Sequence, residues 1–393
     1  MKPCKKCTID RINDAFTEFF KQESAGGILL LLCAAIAMGL ANSPLAETYE
    51  HVLHLPVSVP FLPDMSLLHW VNDGLMAIFF LVVGLEIKRE FLFGELKSLS
   101  ATILPIAAAV GGMVVPAAIY TLFNWGSPSI SGWAIPMSTD IAFSLGVLAF
   151  AAKGVPKSVA IFLTALAIVD DLGGIIVIAL FYSQSLQWMA LGGGLAVLCV
   201  MAILSKKNVH SPYPYILGGL ITWYAFLEAG IHPTVAGVLT GFLIPAGEEH
   251  SQHDHPLHHW EHTLSPWSAF LIMPIFALGN AGIPLDTDSF AGLLAPIGLG
   301  IIGGLFIGKP LGIFGTVFLL IKAGIVSMPE GVKWSHFLGA GILAGIGFTM
   351  SIFLASLSFA GAADLICAKA AIVTASLLSG VLGIVLFKIK GTG

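Results

Sequence analysis

Residues 158–182 read SVAIFLTALAIVDDLGGIIVIALFY, and the midpoint of this apolar stretch is the acidic pair Asp170 and Asp171. A helix needs about 20 mostly apolar residues to cross the hydrocarbon core of a bilayer, and this stretch is long enough. An ionised residue at the bilayer centre costs at least about 2.5–3.5 kcal/mol, so it is tolerated where it faces a water-filled cavity or a partner. The stretch therefore predicts a spanning helix that lines a functional cavity.

The composition of the whole chain favours a membrane protein. Of the 393 residues, 56% are hydrophobic and only 10% are charged, and the mean hydropathy is +0.91. Soluble domains carry about 25% charged residues, so no soluble fold of this length could bury so much apolar surface. The formal net charge of −5 gives no reason to expect nucleic acid as a partner.

The fold class predicted by hydropathy is an all-α integral membrane protein with twelve transmembrane helices. The predicted spans are residues 26–42, 66–88, 99–123, 132–152, 158–182, 186–204, 212–228, 230–245, 263–283, 298–321, 336–359 and 364–387. Residues 26–388 form the predicted membrane domain. A tail over residues 1–25 contains an amphipathic interfacial helix at Asp10–Gln22, and residues 389–393 form a short second tail.

The basic residues set the orientation of these spans. Almost all of the 18 Lys and Arg residues fall in the N-terminal tail or in the loops after spans two, four, six, ten and twelve. All of these segments lie on one side of the membrane, and the positive-inside rule makes that side cytoplasmic. Both termini are therefore predicted to be cytoplasmic. The exceptions are Lys369, near the start of span twelve, and Lys309, in the middle of span ten.

Two of the spans contain residues that interrupt helices. In span four, Pro136 is followed by the polar residues Ser138, Thr139 and Asp140. Span eleven carries Gly339, Gly341, Gly345 and Gly347, and then Thr349. Interrupted spans in corresponding halves of a chain are typical of inverted-repeat transporters, whose two discontinuous helices cross at the midplane beside the substrate site. Close helix packing would also explain the glycines, but it would not explain Asp140.

The buried charges suggest a chemistry. The carboxylates of Asp170 and Asp171 offer the hard oxygen ligands that Na⁺ or Li⁺ prefers, and they also bind protons. Lys309 needs a carboxylate partner, which Asp140, Asp170 or Asp171 could supply. A lysine–aspartate pair that opens when sodium binds would couple proton release to cation binding. The alternatives are that the acids only hydrogen-bond to a neighbouring helix and that Lys309 forms a structural ion pair.

A second polar group is predicted at the cytoplasmic ends of the spans. Glu86, Arg89 and Glu90 lie on one helix face, and Glu261 and His262 precede span nine. Such a cluster could sense pH, since histidine titrates near neutrality, or it could be an ordinary solvated helix end. The six histidines of the preceding loop, His250, His253, His255, His258, His259 and His262, could be the sensor instead.

Three other features of the sequence are interpreted as structural and not as functional. Cys4 and Cys7 form a C-x-x-C pair in a basic tail, without the context of a redox or zinc site. Asp73 lies in the outer third of span two and is predicted to be a structural hydrogen-bonding residue. His232 opens span eight and is most simply a capping or interfacial residue.

From about Ser24 onward the chain resembles the NhaA-type sodium/proton antiporters. The stretches that carry the resemblance are NDGLMAIFFLVVGLEIKRE (72–90), GWAIPMSTDIAFSLGVLAF (132–150), ALAIVDDLGGIIVIALFY (165–182), LIMPIFALGNAGI (271–283), GLFIGKPLGI (304–313) and GIGFTMSIFLASL (345–357). The resemblance implies a dimeric protein of the bacterial inner membrane that exports Na⁺ or Li⁺ in exchange for more than one inward proton. It implies no cofactor, and lipid as the surrounding medium.

The resemblance also implies roles for individual residues. Asp170 and Asp171 match the family's cation- and proton-binding pair, Lys309 matches the lysine that pairs with the first of them, and Thr139 and Asp140 match the break of the first interrupted helix. The residues that match the pH-sensing cluster are Glu86, Arg89, Glu90, Glu261 and His262, with His232 as a further histidine linked to the pH response. Ser265 stands where the family often has another histidine, which affects the expected pH set-point and not the transport chemistry.

Three other functions would make different demands on the sequence. An organic-anion/sodium symporter would need basic or polar groups for its substrate, and only Lys309 is available. An intramembrane aspartyl protease needs two aspartates that face each other from different helices, usually in Y-D and G-x-G-D motifs, which the chain lacks. A passive cation channel would conduct sodium without moving protons.

Overall fold

The computed structural model describes residues 25–59, 64–94, 99–151, 155–183, 186–247 and 255–390. These residues form a bundle of helices, with one short antiparallel ribbon in which Pro56–Val57 pairs with Met65–Ser66. The predicted helix Asp10–Gln22, the Cys4 and Cys7 pair, and His250 and His253 lie outside the described residues.

Six helices of the described part are long and apolar enough to cross a membrane. They are Leu67–Leu92, Thr102–Phe123, Lys157–Phe181, Trp188–Lys206, Pro296–Lys322 and Ala362–Ile389. Three bent pairs of helices pass the same test together and raise the number of spans to as many as nine. The chain is therefore a multi-pass, mostly helical membrane protein.

Shorter helices lie at the other predicted spans. They are Tyr213–Ala229, Thr234–Leu243, Pro256–Trp267 and Met273–Asn280, the last two joined by a π-helical turn at Ser268–Ile272. The helix Thr234–Leu243 is only about 15 Å long at 1.5 Å per residue, half the thickness of the hydrocarbon core. Length and composition alone therefore do not establish twelve spans.

Two of the bent pairs coincide with the two predicted interrupted helices. The first broken helix consists of the 3₁₀ segment Pro128–Met137 and the α-helix Ile141–Ala151, with a bend of 43°. The second broken helix consists of Trp334–Ala344 and Phe348–Ser358, with a bend of 44°. The breaks contact each other, because the backbone N–H of Asp140 donates to the carbonyl of Ile346 at 2.7 Å.

The helix Lys157–Phe181, here called the aspartate helix, is the most buried of the six long helices. It packs against Leu99–Phe123, against Leu67–Leu92 and against both broken helices. This central position explains why its sequence is apolar on all sides, without the polar face of a surface helix. It also places Asp170 and Asp171 in the interior of the bundle.

Glycines let the short helix Thr234–Leu243 pack closely against Leu67–Leu92, which is a neighbour of the aspartate helix. A Cβ atom added at Gly84 would lie 2.6 Å from the carbonyl oxygen of Val238, and one at Gly241 would lie 2.6 Å from the carbonyl oxygen of Leu81. Side chains larger than hydrogen do not fit at either position. Small residues that let helix backbones approach are typical of helix contacts in membranes.

Candidate functional site

The centre of the site is an ion pair between Lys309 and Asp170. The ammonium of Lys309 donates to Oδ2 of Asp170, and both side chains are fully buried. Lys309 follows a π-helical turn at Gly303–Gly308 within the long helix Pro296–Lys322, here called the lysine helix. Such turns often occur at functional sites because they re-aim the side chains that follow. Of the three candidate partners for Lys309, the geometry selects Asp170.

Thr139, at the break of the first broken helix, connects this ion pair to its surroundings. Its hydroxyl lies 2.7 Å from Oδ2 of Asp170 and 2.9 Å from the carbonyl oxygen of Ala344, and it accepts a hydrogen bond of 3.0 Å from Lys309. The single hydroxyl proton can go to either oxygen. One side chain thus joins the aspartate helix, the lysine helix and both broken helices.

Asp140 caps two helices at once. Its Oδ1 accepts the backbone N–H of Phe143 at 3.0 Å, and its Oδ2 accepts the backbone N–H of Thr349 at 3.1 Å together with the hydroxyl of Thr349. These donors belong to the first turns of Ile141–Ala151 and Phe348–Ser358. A helix N-terminus carries unpaired N–H groups and a partial positive charge, so one carboxylate satisfies both half-helices. Asp140 therefore lies beside the ion pair without contacting Lys309.

Asp171 occupies a different environment from its neighbour. Adjacent helical residues point about 100° apart, so Asp171 cannot share the partners of Asp170. Its side chain is buried and feels the negative charges of Asp170, Asp140 and Glu86, with Lys309 as the compensating positive charge. An excess of buried negative charge is favourable for binding a cation or a proton.

The carboxylate of Asp170 keeps one acceptor atom unused. Its Oδ1 is buried and has no hydrogen-bond partner among the residues that the structure describes. A buried carboxylate oxygen without a donor is costly, so it marks a place where a further positive group gains free energy. Hard cations such as Na⁺ prefer oxygen ligands of this kind.

The predicted cytoplasmic cluster is assembled around Arg89. Its guanidinium lies 2.6 Å from Oε1 of Glu90 and 2.7 Å from Oε1 of Glu261, and so joins Leu67–Leu92 to the middle of Pro256–Trp267. The second oxygen of Glu261 is buried and has no hydrogen-bond partner within the described ranges. Glu86 interacts electrostatically with both Arg89 and Asp171, so it connects the cluster to the central site.

The histidines occupy two separate places. His262 is exposed, and its ring lies 6.3 Å from the ring of His258. His232 lies deeper, with Nε2 3.5 Å from Oδ1 of Asp73 and its ring 5.3 Å from the ring of Phe353 in the second broken helix. Within the described ranges, no group of three or more His, Cys, Asp or Glu residues could hold a metal ion.

Several contacts of the site were not predicted from the sequence. Thr349 was noted only as the residue after a glycine-rich break, and its hydrogen bonds to Asp140 were missed. The pairing of Asp73 with His232 was also missed, although each residue stood out as a polar group in or beside an apolar span. Only that isolated polarity could have drawn attention to them, since their positions in the chain give no sign that they meet.

Two broken apolar helices that meet beside a buried, lysine-paired acidic group define a membrane ion transporter. The family model described as "Na+/H+ antiporter 1" matches residues 17–387, and the chain belongs to this family. The resemblance seen in the sequence motifs is confirmed, and the chain is a transporter and not an enzyme.

Curated relatives agree over nearly the full length. "Na(+)/H(+) antiporter NhaA 2" of Clostridium beijerinckii is 54% identical, over 96% of this chain and 95% of the relative. "Na(+)/H(+) antiporter NhaA" of Vibrio vulnificus is 53% identical, over 89% of each chain. The solved structure of the sodium proton antiporter MjNhaP1 from Methanocaldococcus jannaschii aligns with a TM-score of 0.48 and 16% identity, covering 94% of this chain and 100% of that one.

Proposed function

We propose that this protein exports Na⁺ or Li⁺ across a bacterial inner membrane in exchange for inward protons, through Asp170 and Asp171. The main support for the proposal is the difference between the two carboxylate oxygens of Asp170. One of its oxygens is paired with Lys309 and Thr139, while the other is buried and unused among the described residues. A cation that binds the second oxygen neutralises the same carboxylate as the lysine ammonium does. The cation and Lys309 therefore compete for one negative charge.

The competition between Na⁺ and the Lys309 ammonium couples sodium binding to proton release. In the proton-loaded state, Asp171 is protonated and the Lys309 ammonium neutralises Asp170. Na⁺ binding to both carboxylates removes the reason for Lys309 to be charged, because a buried amine without a partner favours its neutral form. The site then releases one proton from Asp171 and one from Lys309 for each sodium bound. Two protons inward and one sodium outward move one net positive charge into the cell.

The remaining features of the proposal follow from the fold and from the family. Twelve spans, with the two broken helices crossing at the midplane, would place the site between two inverted repeats. The distribution of basic residues favours a cytoplasmic position for both termini. A homodimer and a role in sodium and pH homeostasis are proposed from the family, and control by pH is proposed for the Arg89 cluster.

The geometry disfavours the competing functions. Asp170 and Asp171 lie on one helix, and Asp170 faces a lysine, so the facing aspartates of a protease are not formed by this pair. An organic-anion symporter would need Lys309 for its substrate, but Lys309 is already paired with Asp170.

The test is ion exchange by the purified protein in proteoliposomes, with the pH and the sodium concentration varied independently. A dye that reports the pH inside the vesicles should show proton movement only when Na⁺ or Li⁺ is present, and K⁺ should have no effect. Sodium flux without proton flux would instead identify a channel. The absence of any sodium-dependent proton movement would refute the proposed exchange.

A further inference from the structure

The contacts of Tyr182 are separate from those of the ion site. It lies at the C-terminal end of the aspartate helix, and its hydroxyl donates to the carbonyl of Ser131 at 2.8 Å. Oγ of Ser358 lies 3.0 Å from the same hydroxyl, and its single proton can go to Tyr182 or to the carbonyl of Leu354, 2.7 Å away. Oγ of Ser131 lies 3.2 Å from the carbonyl oxygen of Ser358, which closes the group. We call Tyr182, Ser131 and Ser358 the tyrosine cluster.

The tyrosine cluster joins three elements that also meet at the ion site. Ser131 lies in the 3₁₀ segment of the first broken helix, and Ser358 is the last residue of the second broken helix. Tyr182 is about 18 Å from Asp170 along the helix axis, at 1.5 Å per residue. The aspartate helix therefore contacts the broken helices at two levels, through Asp170 at the centre and through Tyr182 at one end.

A ring contact reinforces the same place. Phe181, next to Tyr182, packs edge-on against Trp133 of the first broken helix, with ring centroids 5.2 Å apart. The cluster lies at the end of the bundle opposite Arg89, which is the outer end if the basic residues face the cytoplasm. The aspartate helix and the broken helices are thus joined at this end by specific hydrogen bonds and an aromatic pair.

We infer that Tyr182 is an outer latch, a positioning residue whose hydrogen bonds hold the outer entrance to the Asp170 site closed. The inference rests on the proposed function, since only a transporter that alternates its access must open this surface. A site between the aspartate helix and the breaks becomes accessible from outside only when these elements separate at the level of Tyr182. The hydrogen bond from Tyr182 to Ser131 and the contact of Tyr182 with Ser358 must then break in every transport cycle.

The latch should act on the balance between inward-facing and outward-facing states. The apparent affinity of a ligand equals its intrinsic affinity multiplied by the fraction of molecules in the competent state. Loss of the Tyr182 hydroxyl weakens only the outward-closed state. The outward-facing fraction should then rise about two- to tenfold, which is the effect expected from removing a typical hydrogen bond.

The test is Tyr182→Phe, which keeps the ring and removes the hydroxyl. The half-saturating Na⁺ concentration is measured separately from each side, in right-side-out and inside-out vesicles that contain the full-length protein. We expect the external KM for Na⁺ to fall about two- to tenfold, while the internal KM stays the same or rises. A merely structural role would reduce the amount of active protein without moving the two KM values in different ways.

Two further variants make the result specific. Tyr120→Phe removes a hydroxyl that donates to the carbonyl of Ser129 at 2.7 Å, in the same 3₁₀ segment but from the helix Leu99–Phe123. This matched control should not change the ratio of external to internal KM. Ser358→Ala removes the hydroxyl that contacts Tyr182, so it should shift the ratio in the same direction as Tyr182→Phe, and the double variant should shift it by less than the two effects combined.

The possible results of these experiments distinguish a failure of the latch from a failure of the proposed antiport. If the unmodified chain exchanges Na⁺ for protons and Tyr182→Phe leaves both KM values unchanged, or moves them together, the latch is wrong and the antiport stands. If the unmodified chain shows no exchange, both fail. An equal change of the KM ratio in Tyr120→Phe would also overturn the latch, because the effect would then belong to the 3₁₀ segment and not to the aspartate helix.

Discussion

Lys309 and Asp170 form a fully buried ion pair in which the lysine occupies only one of the two carboxylate oxygens. The other oxygen, Oδ1, has no hydrogen-bond partner in the described part of the chain. An ion pair that served only for stability would be expected to have its remaining lone pairs satisfied. The incomplete pairing is what makes exchange between a lysine and a cation physically reasonable.

Replacement of Asp170 or Asp171 with Asn should abolish sodium/proton exchange while the protein still inserts and folds. Asn is nearly isosteric with Asp but cannot take a negative charge, so it cannot alternate between a proton and a cation. Exchange in proteoliposomes is the measurement. Asp364→Asn, in the first turn of the last helix and outside the site, is the matched control and should remain active. Robust sodium-dependent proton movement in either site variant would refute the assignment.

The Lys309–Asp170 pair should show strong coupling in unfolding experiments. Lys309→Met leaves a buried carboxylate unpaired, and Asp170→Asn leaves a buried amine unpaired, each at a cost of up to about 3–5 kcal/mol. In the double variant neither group is charged, so its loss of unfolding free energy should be smaller than the sum by about 1–3 kcal/mol. Thermal or denaturant unfolding of the detergent-solubilised protein gives these values.

A second pair of variants serves as the control for that coupling. Lys309→Met combined with Asp364→Asn should give additive losses, because the two residues share no contact. Additive losses for Lys309 and Asp170 as well would show that their proximity in the structure has no energetic consequence.

Asp140 should contribute to stability through its two caps. Asp140→Ala removes the acceptors of both half-helices and should lower the free energy of unfolding by about 1–4 kcal/mol, from about 0.5–2 kcal/mol for each cap. Asp140→Asn keeps one amide oxygen as an acceptor, so its loss should be smaller. The order of the two variants in a thermal-unfolding series is the decisive result, and equal losses would argue against the double cap.

Transport should be electrogenic. Two protons inward for one sodium outward move one elementary charge per cycle, and such a charge is worth about 2.3 kcal/mol per 100 mV of membrane potential. An inside-negative potential, imposed with valinomycin and a potassium gradient, should therefore accelerate sodium export from vesicles. A turnover rate that does not respond to this potential would contradict the proposed stoichiometry.

Glu261 should set the pH at which transport switches on. Glu261→Gln leaves an oxygen for Arg89 to bind but removes a negative charge from the cytoplasmic end. A less negative entrance releases protons from the cavity more easily, so the activity profile should move toward lower pH while the maximal rate stays largely intact. The measurement is the exchange rate across a series of symmetrical pH values.

The histidine-rich loop provides the control for that experiment. Replacement of His250, His253, His255, His258 and His259, with Glu261 and His262 kept, should leave the pH profile unchanged. A shifted profile would instead identify the imidazoles of the loop as the sensor.

The sequence alone was enough to predict the membrane class, the family and the residues at the centre. Charged residues in long apolar stretches are costly, so Asp170, Asp171 and Lys309 stand out without any knowledge of the fold. The interruptions were also predictable, since Pro136 and the glycine run before Thr349 act locally on the helix. Both predicted breaks coincide with bent helix pairs. Each of these features depends on residues that are close together in the chain.

Beyond the pairing that the resemblance implied, only the tertiary structure decided which of these groups meet. From the residues alone three acids could have paired with Lys309, and packing of the lysine helix against Leu99–Phe123 and the broken helices brought Asp170 to it. Asp140 was instead used to cap the half-helices at Phe143 and Thr349. Local patterns fix where a helix begins, bends and ends, but the rotation and depth of one helix against another depend on side chains distributed along the whole bundle. Contacts between distant segments therefore could not be deduced from the sequence of either segment.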